Sequence, residues 1–374
     1  MPFDPQAFDT TRGPFGDHVH VIARLSQELH AAQSWASSFL DARSRVRHTL
    51  PGFQSVALRC PAEALRAIEA RSEVVALLPD ERVRGFLDHT VERTAVPPLW
   101  EEGLTGKDVR LAILDTGIDR GHPDFEGRIT GHEDFTGRGV RDDSGHGTFV
   151  ASVAAGSGEA SRGRFRGAAP AAPLLVARVL DAEALGRMSD VMAGMLWALT
   201  REARVMCLAL GTERAGRPDD ALGAAVDQLT AAGVTVCAAA GPDAGAGEPS
   251  PACAAGALPV HAWDPVHQPA SEPSPGGTET RHLAAPGLAV TASRAYGTQA
   301  GKPAGDQYVE ASGSSAAAAH VAGVCALLLE AVPEATPTML AQVLRHSARP
   351  IGGGRGAVHA MAALAELREI ARRR

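Results

Sequence analysis

The chain reads as an α/β protein: a mainly parallel sheet with helices on both faces, preceded by a small α+β domain. Three observations carry that expectation. Several apolar runs of strand length stop at polar or glycine-rich turns, the pattern of strands buried on both faces. The first ninety or so residues follow a different rhythm, alternating at period two and then shifting to helical spacing. The length of 374 residues, with 45% hydrophobic and 21% charged, suits one large core and a smaller companion. The divisions expected are an extension at 1–17, a small domain at 18–90, a linker at 91–98 and the large domain at 99–374.

In the small domain, His18-Val-His-Val-Ile-Ala-Arg24 alternates like a half-buried strand. Residues 26–43 place Leu29, Ala32, Ala36, Phe39 and Leu40 at helical spacing. A second strand is expected at 53–59, a second helix at 61–70 and a third strand at 74–78. That order is a ferredoxin-like pattern. In the large domain, 109–114, 174–180, 205–210 and 234–239 are expected as neighbouring core strands. Residues 316–330 should form a buried helix, because their Ala, Val, Leu and Cys side chains leave little polar surface. Residues 241–247 and 268–277 read as loops.

Three motifs carry chemistry. Leu111-Ala-Ile-Leu-Asp115-Thr-Gly is an apolar strand ending in an acid at a turn, where α/β sheets place their sites. Asp143-Ser-Gly-His146-Gly-Thr sets a histidine between glycines ahead of a helix-compatible run. Gly313-Ser-Ser315-Ala-Ala sets a serine at the start of another, where free N–H groups suit a developing oxyanion. A serine hydroxyl needs a base within reach, histidine is the natural base near neutral pH, and a buried aspartate holds the imidazole in one tautomer. Singly, each motif is also a turn or a packed helix. The order Asp, His, Ser is harder to reconcile with a scaffold.

In these three motifs the chain resembles the subtilisin-like serine protease (subtilase) family, from about His18 to Met361. Ser250-Pro-Ala252, Leu258-Pro-Val260 and Leu283-Ala-Ala-Pro-Gly287 match its minor motifs. The resemblance implies Asp115, His146 and Ser315 as catalytic residues. It implies that Ala209, Leu210, Gly211, Ala239, Ala240 and Gly241 line the substrate cleft. It also implies that the small domain is an inhibitory, folding-assisting prosegment whose end lies in the cleft like a substrate. Self-processing would then fall between Phe86 and Leu87. The other reading of that domain is a permanent N-terminal unit that is never cut.

Departures from the family pattern bear on activity. The oxyanion asparagine position holds Pro242, which has neither a side-chain donor nor a backbone N–H. Ser314 is then the candidate replacement donor, beside the backbone N–H of Ser315. Phe149, Ser152, Ala316, Ala319 and the strand Ala209-Leu-Gly-Thr212 also differ from the usual residues. The expected function is a serine endopeptidase, weak or specialised because of Pro242. The alternative is a pseudoprotease that binds a peptide or protein partner in the cleft. An esterase or amidase on the same fold is a third reading that nothing in the chain selects.

Other classes receive no support. Net charge is −7 from 36 basic and 43 acidic residues, with no basic stripe or aromatic platform for nucleic acid. No apolar run approaches a membrane span. Five cysteines, none in a C-x-x-C, argue against zinc and for buried free thiols in a reducing compartment. No signal-peptide pattern stands at the start. A cytoplasmic protein is expected, with partner-dependent secretion left open. No cofactor or metal is expected. Calcium is common in the family, but Asp124, Asp142 and Asp143 lack the ordered spacing of a calcium loop and read as solvated turns.

Overall fold

A computed structural model describes residues 10–13, 16–26, 35–36, 38, 40–41, 43–80, 82–85, 94–212, 215–217, 220–241, 248–265, 282–352 and 354–373. The small domain is an antiparallel sheet. Its strands are β1 (Thr10–Gly13), β2 (Gly16–Leu25), β3 (Arg45–Leu50), β4 (Ser55–Pro61) and β5 (Val74–Pro79), with β2 paired to β1, β4 and β5, and β4 to β3. Alternation along β2 buries Val19, Val21 and Ala23 against Leu58, Leu65 and Ile68, the last two from helix α1 (Leu65–Glu69). Strand β3 was not expected from the sequence. Its residues Arg45-Val-Arg-His-Thr-Leu50 are mostly polar, and partial burial against the large domain replaces an apolar stripe. Most of the helix expected at 26–43 lies outside the described residues. Strand β1 pairs with β2 within the segment expected as an extension.

The large domain is built on a sheet of nine strands among the described residues. In chain order they are β7 (Leu111–Asp115), β8 (Ile129–Asp134), β9 (Leu174–Arg178), β11 (Val205–Leu208), β13 (Thr235–Ala239), β14 (Ala257–Trp263), β15 (His282–Pro286), β19 (Arg349–Gly352) and β20 (Arg355–Ala357). In space they run β19-β20-β15-β14-β13-β11-β7-β9-β8. All neighbours are parallel except β19 and β20. The four expected core strands are β13, β11, β7 and β9, side by side as the sequence predicts. A smaller sheet joins β16 (Val290–Ser293), β17 (Lys302–Pro303) and β18 (Tyr308–Ala311).

Helices cover both faces. Helix α2 (Pro97–Glu101) opens the domain. Helices α3 (His146–Ala155), α6 (Ser314–Ala331), α7 (Pro337–His346) and α8 (Ala360–Arg372) pack on one face. Helices α4 (Met188–Leu199) and α5 (Ala221–Ala231) pack on the other. Helix α6 is apolar all round, the composition of a helix surrounded by protein. Its 18 residues also have the length and mean hydropathy of a membrane span, contrary to the sequence reading, yet 89% of that stretch is buried inside the protein. A Cβ at Gly323 would sit 2.5 Å from the Ala154 carbonyl oxygen, so glycine is what allows α3 and α6 to cross closely.

The small domain docks on α4. Ile22, Leu50 and Phe53 share a core with Met188, Val191 and Met192. Helix α4 has no N-cap side chain of its own. Asp80 supplies one from the small domain: it accepts from Ser189 N at 2.8 Å and Ser189 Oγ at 2.5 Å. In return, Asp190 in the first turn accepts from Arg47 Nη2 at 2.7 Å and lies 2.7 Å from His48 Nε2. Burial raises the Asp80 carboxyl pKa, with the Ser189 hydrogen bonds opposing it.

Candidate active site

The three motifs converge. Strand β7 ends on Asp115, α3 begins with His146, and Ser315 sits in the first turn of α6. His146 Nδ1 is 2.6 Å from Asp115 Oδ1, and His146 Nε2 is 3.2 Å from Ser315 Oγ. All three are buried, at 0% exposure for Asp115 and Ser315 and 2% for His146. Asp115 Oδ1 also accepts from Thr116 N at 2.7 Å. Since the carboxylate accepts the Nδ1 proton, Nε2 is left with its lone pair towards the serine. Ser315 Oγ has a second acceptor, the Ala209 carbonyl at 3.2 Å, so its proton chooses between a base and a resting partner.

Local structure explains the placement. A Cβ at Gly147 would lie 2.2 Å from the Gly117 carbonyl oxygen, so glycine after His146 lets the helix start abut the turn after Asp115. The same junction is tied by two residues not singled out for this role. Thr116 Oγ1 accepts from Gly147 N at 2.9 Å and donates to Asp142 Oδ1 at 2.8 Å. Asp142 accepts Gly145 N at 2.7 Å on Oδ1 and Thr148 N at 2.8 Å on Oδ2, holding the backbone on either side of His146. Thr116 and Asp142 are positioning residues. An acid two to six residues before free helix N–H groups was the signal for Asp142.

Two of the three candidate calcium ligands are therefore not solvated turns. Asp142 is 1% exposed and caps α3. Asp124 is 0% exposed and accepts from Tyr308 Oη at 3.0 Å, Ser293 Oγ at 2.7 Å and Ala160 N at 3.0 Å. Asp143 is half-exposed and pairs with the buried Arg178 at 3.0 Å. The changed residues near the motifs are accounted for by packing. Phe149 is buried in the core under α3. Ser152 Oγ accepts from Ser293 N at 2.9 Å, tying α3 to β16.

The cleft edge is defined by the chain itself. Strand β6 (Arg82–Gly85) lies between β10 (Leu185–Arg187) and β12 (Leu210–Thr212), antiparallel to both, with Gly85 opposite Leu210 and Arg84 opposite Gly211. The small domain thus feeds an extended segment into the sheet edge beside Ala209, whose carbonyl contacts the Ser315 hydroxyl. Phe86 and Leu87 lie outside the described residues.

Where the sequence places the oxyanion site, Ala239 and Ala240 are buried, and Gly241 N donates to Ser314 Oγ at 3.2 Å. Ser314 and Ser315 stand at the start of α6, where backbone N–H groups have no helical acceptor. Pro242 lies outside the described residues. The five cysteines are free thiols, with Cys237 and Cys325 3.9 Å apart at sulfur. Burial pushes the Cys60 thiol up to about 12, so it stays protonated and unreactive at neutral pH.

Comparison with known proteins agrees with this geometry. The profile of the subtilase family matches residues 106–364. The serine protease AprX of Bacillus subtilis is 31% identical over 300 residues, covering 71% of this chain and 67% of that protein. The M-protease of Shouchella clausii is 35% identical over 280 residues, covering 73% of this chain and 68% of that protein. Fervidolysin from Fervidobacterium pennivorans superposes with a TM-score of 0.74 at 21% identity over 92% of this chain. This chain spans 60% of the length of fervidolysin, a likeness of fold. With the family profile covering most of the large domain and Asp115, His146 and Ser315 drawn together, the chain belongs to the subtilase family, the subtilisin-like serine endopeptidases.

Proposed function

We propose that this chain hydrolyses peptide bonds through Asp115, His146 and Ser315, and that its N-terminal domain is an inhibitory prosegment. The observation that carries the first part is the buried chain of contacts from Asp115 through His146 to Ser315, at 2.6 and 3.2 Å. Ser315 Oγ attacks the carbonyl carbon while His146 Nε2 takes its proton and passes it to the leaving amine. Water then repeats the sequence to free the acyl group. Asp115 holds the imidazole and stabilises its charged form. A fluorophosphonate probe tests this directly. The native chain should be labelled at Ser315, and Ser315→Ala should not; equal labelling of both would remove the assignment.

The oxyanion donors we assign are Ser315 N–H and the Ser314 hydroxyl. Gly241 N–H occupies one lone pair of Ser314 Oγ, and the hydroxyl proton remains to be donated. Pro242 supplies no donor. Loss of one such donor costs roughly 100–1,000-fold in turnover, a figure known from this family, so a slow enzyme is the reading we favour. Pro242 is also the one observation that favours a peptide-binding pseudoprotease, which would leave the native chain unlabelled.

The pairing of β6 with β10 and β12 supports the prosegment reading. Phe86 follows Gly85, the partner of Leu210, and Ala209 precedes Leu210. The bond between Phe86 and Leu87 is therefore the one we assign to Ser315.

A further inference from the structure

We propose that Glu248, His261 and His282 form a binding site for a divalent transition-metal ion of the zinc type. The backbone brings the two histidines together. His261 is on β14 and is in register with Ala284 of the parallel strand β15, and His282 is two residues before Ala284. Side chains two apart on a strand share a face, so both imidazoles rise on the same side of the sheet. Glu248 reaches that face from the segment leading to Ser250. Its Oε1 is 2.9 Å from His282 Nδ1 and 3.5 Å from His261 Nε2. The rings stand edge to face with centroids 5.4 Å apart. One ligand atom from each of the three residues lies within 4.8 Å of the other two.

The dimensions fit a tetrahedral ion. Metal–ligand bonds of about 2.0–2.2 Å imply ligand–ligand edges of about 3.3–3.6 Å. Of the two edges from Glu248, the 3.5 Å one lies within that range, and the 2.9 Å one is a hydrogen-bond distance that opens by a few tenths of an ångström when an ion replaces the shared proton. The donor set of two imidazoles and one carboxylate suits zinc and its neighbours rather than calcium or magnesium, which take oxygen ligands. Glu248 and His261 are largely buried, at 16% and 11% side-chain exposure, whereas the His282 side chain is 37% exposed. The ion would enter from that side and keep a solvent ligand there.

The site touches the cleft through the backbone. Glu248 O accepts from Gly216 N at 2.9 Å. Two residues on, Ser250 O accepts from Thr212 N at 2.9 Å, and Ser250 N donates to Thr212 Oγ1 at 3.1 Å. Thr212 ends β12, the strand that β6 pairs with. An ion joining Glu248 to β14 and β15 therefore braces the cleft edge against the central sheet.

The test uses the full chain carrying Ser315→Ala, stripped with a chelator. Zn²⁺ is titrated against a chromogenic indicator, and Co²⁺ is followed by its visible bands. The expected result is one equivalent bound, tetrahedral cobalt bands without a thiolate charge-transfer band, and affinity at least about tenfold weaker in both Glu248→Gln and His282→Ala. Melting temperatures of the metal-free variants and the metal-free parent, with and without added Zn²⁺, separate loss of binding from loss of folding: the parent should gain stability with the ion and the variants should not. Saturable binding that is unchanged in these variants, a thiolate charge-transfer band, or no saturable binding would each overturn the site.

Discussion

Ser315 is held by two acceptors at the same distance, and that balance defines the resting site. The His146 lone pair and the Ala209 carbonyl each lie 3.2 Å from its oxygen. The base competes well only because Asp115 fixes the tautomer, and Asp142 fixes the backbone on both sides of His146. In the proposed mechanism the oxyanion is left to Ser315 N–H and the Ser314 hydroxyl, because Pro242 has no donor to add. Pro242→Asn should raise turnover of a peptide ester or amide by up to roughly 100-fold, measured as kcat with KM little changed, because the added donor acts in the transition state. An unchanged rate would mean that another donor already fills the position, and Ser314→Ala is the variant that would identify it.

At the scale of elements, α6 carries both the proposed nucleophile, Ser315, and a fully buried histidine. His320 lies one and a half turns after Ser315, is fully buried, and has Nε2 2.5 Å from Thr94 Oγ1. Burial lowers its pKa from 6.5 to about 4. A histidine depressed in the folded state contributes stability that is complete above its unfolded value and is lost as pH falls through the folded one. The window is therefore about pH 6.5 down to about pH 4. Within it the folded chain should lose about 2–3 kcal/mol through this residue alone. Urea unfolding of the native chain and of His320→Gln at both ends of the window checks this. The difference between the two pH values should shrink by that amount in the variant. Helix α4 shows a related economy, since its first turn is capped by Asp80 of another domain and its own Asp190 returns a contact to Arg47. Undocking the small domain would uncap α4.

For the whole molecule, the central question is the fate of the bond after Phe86. The small domain is held by a shared apolar core, by the exchanged acids Asp80 and Asp190, and by β6 in the cleft edge. On the proposed reading, a tightly docked domain and the loss of an oxyanion donor at Pro242 would both slow self-cleavage. Freshly purified protein should therefore be mostly uncleaved, with intact mass equal to the full chain. A stoichiometric product beginning at Leu87, absent in Ser315→Ala, would contradict this and prove activity in the same measurement.

The three residues proposed as catalytic were legible because each is marked by its own neighbours. Asp115 ends an apolar strand, His146 sits between glycines, and Ser315 opens an alanine-rich helix. Such signals span a few residues, and strand burial and helix starts write them locally. The four core strands and the buried α6 were readable for the same reason. Strand β3 was not, because its polar residues gain their partners, Asp190 among them, from the other domain. Asp124 and Asp142 looked like surface acids until Tyr308, Ser293 and Thr148 closed around them. Glu248, His261 and His282 share no spacing motif; the parallel register of β14 with β15 sets the two histidines together, and the segment before Ser250 brings Glu248 to them. Local sequence determined the chemistry available and the elements that carry it. The tertiary structure decided which distant polar groups meet, because burial leaves an acid or an imidazole stable only where partners from elsewhere in the chain replace water.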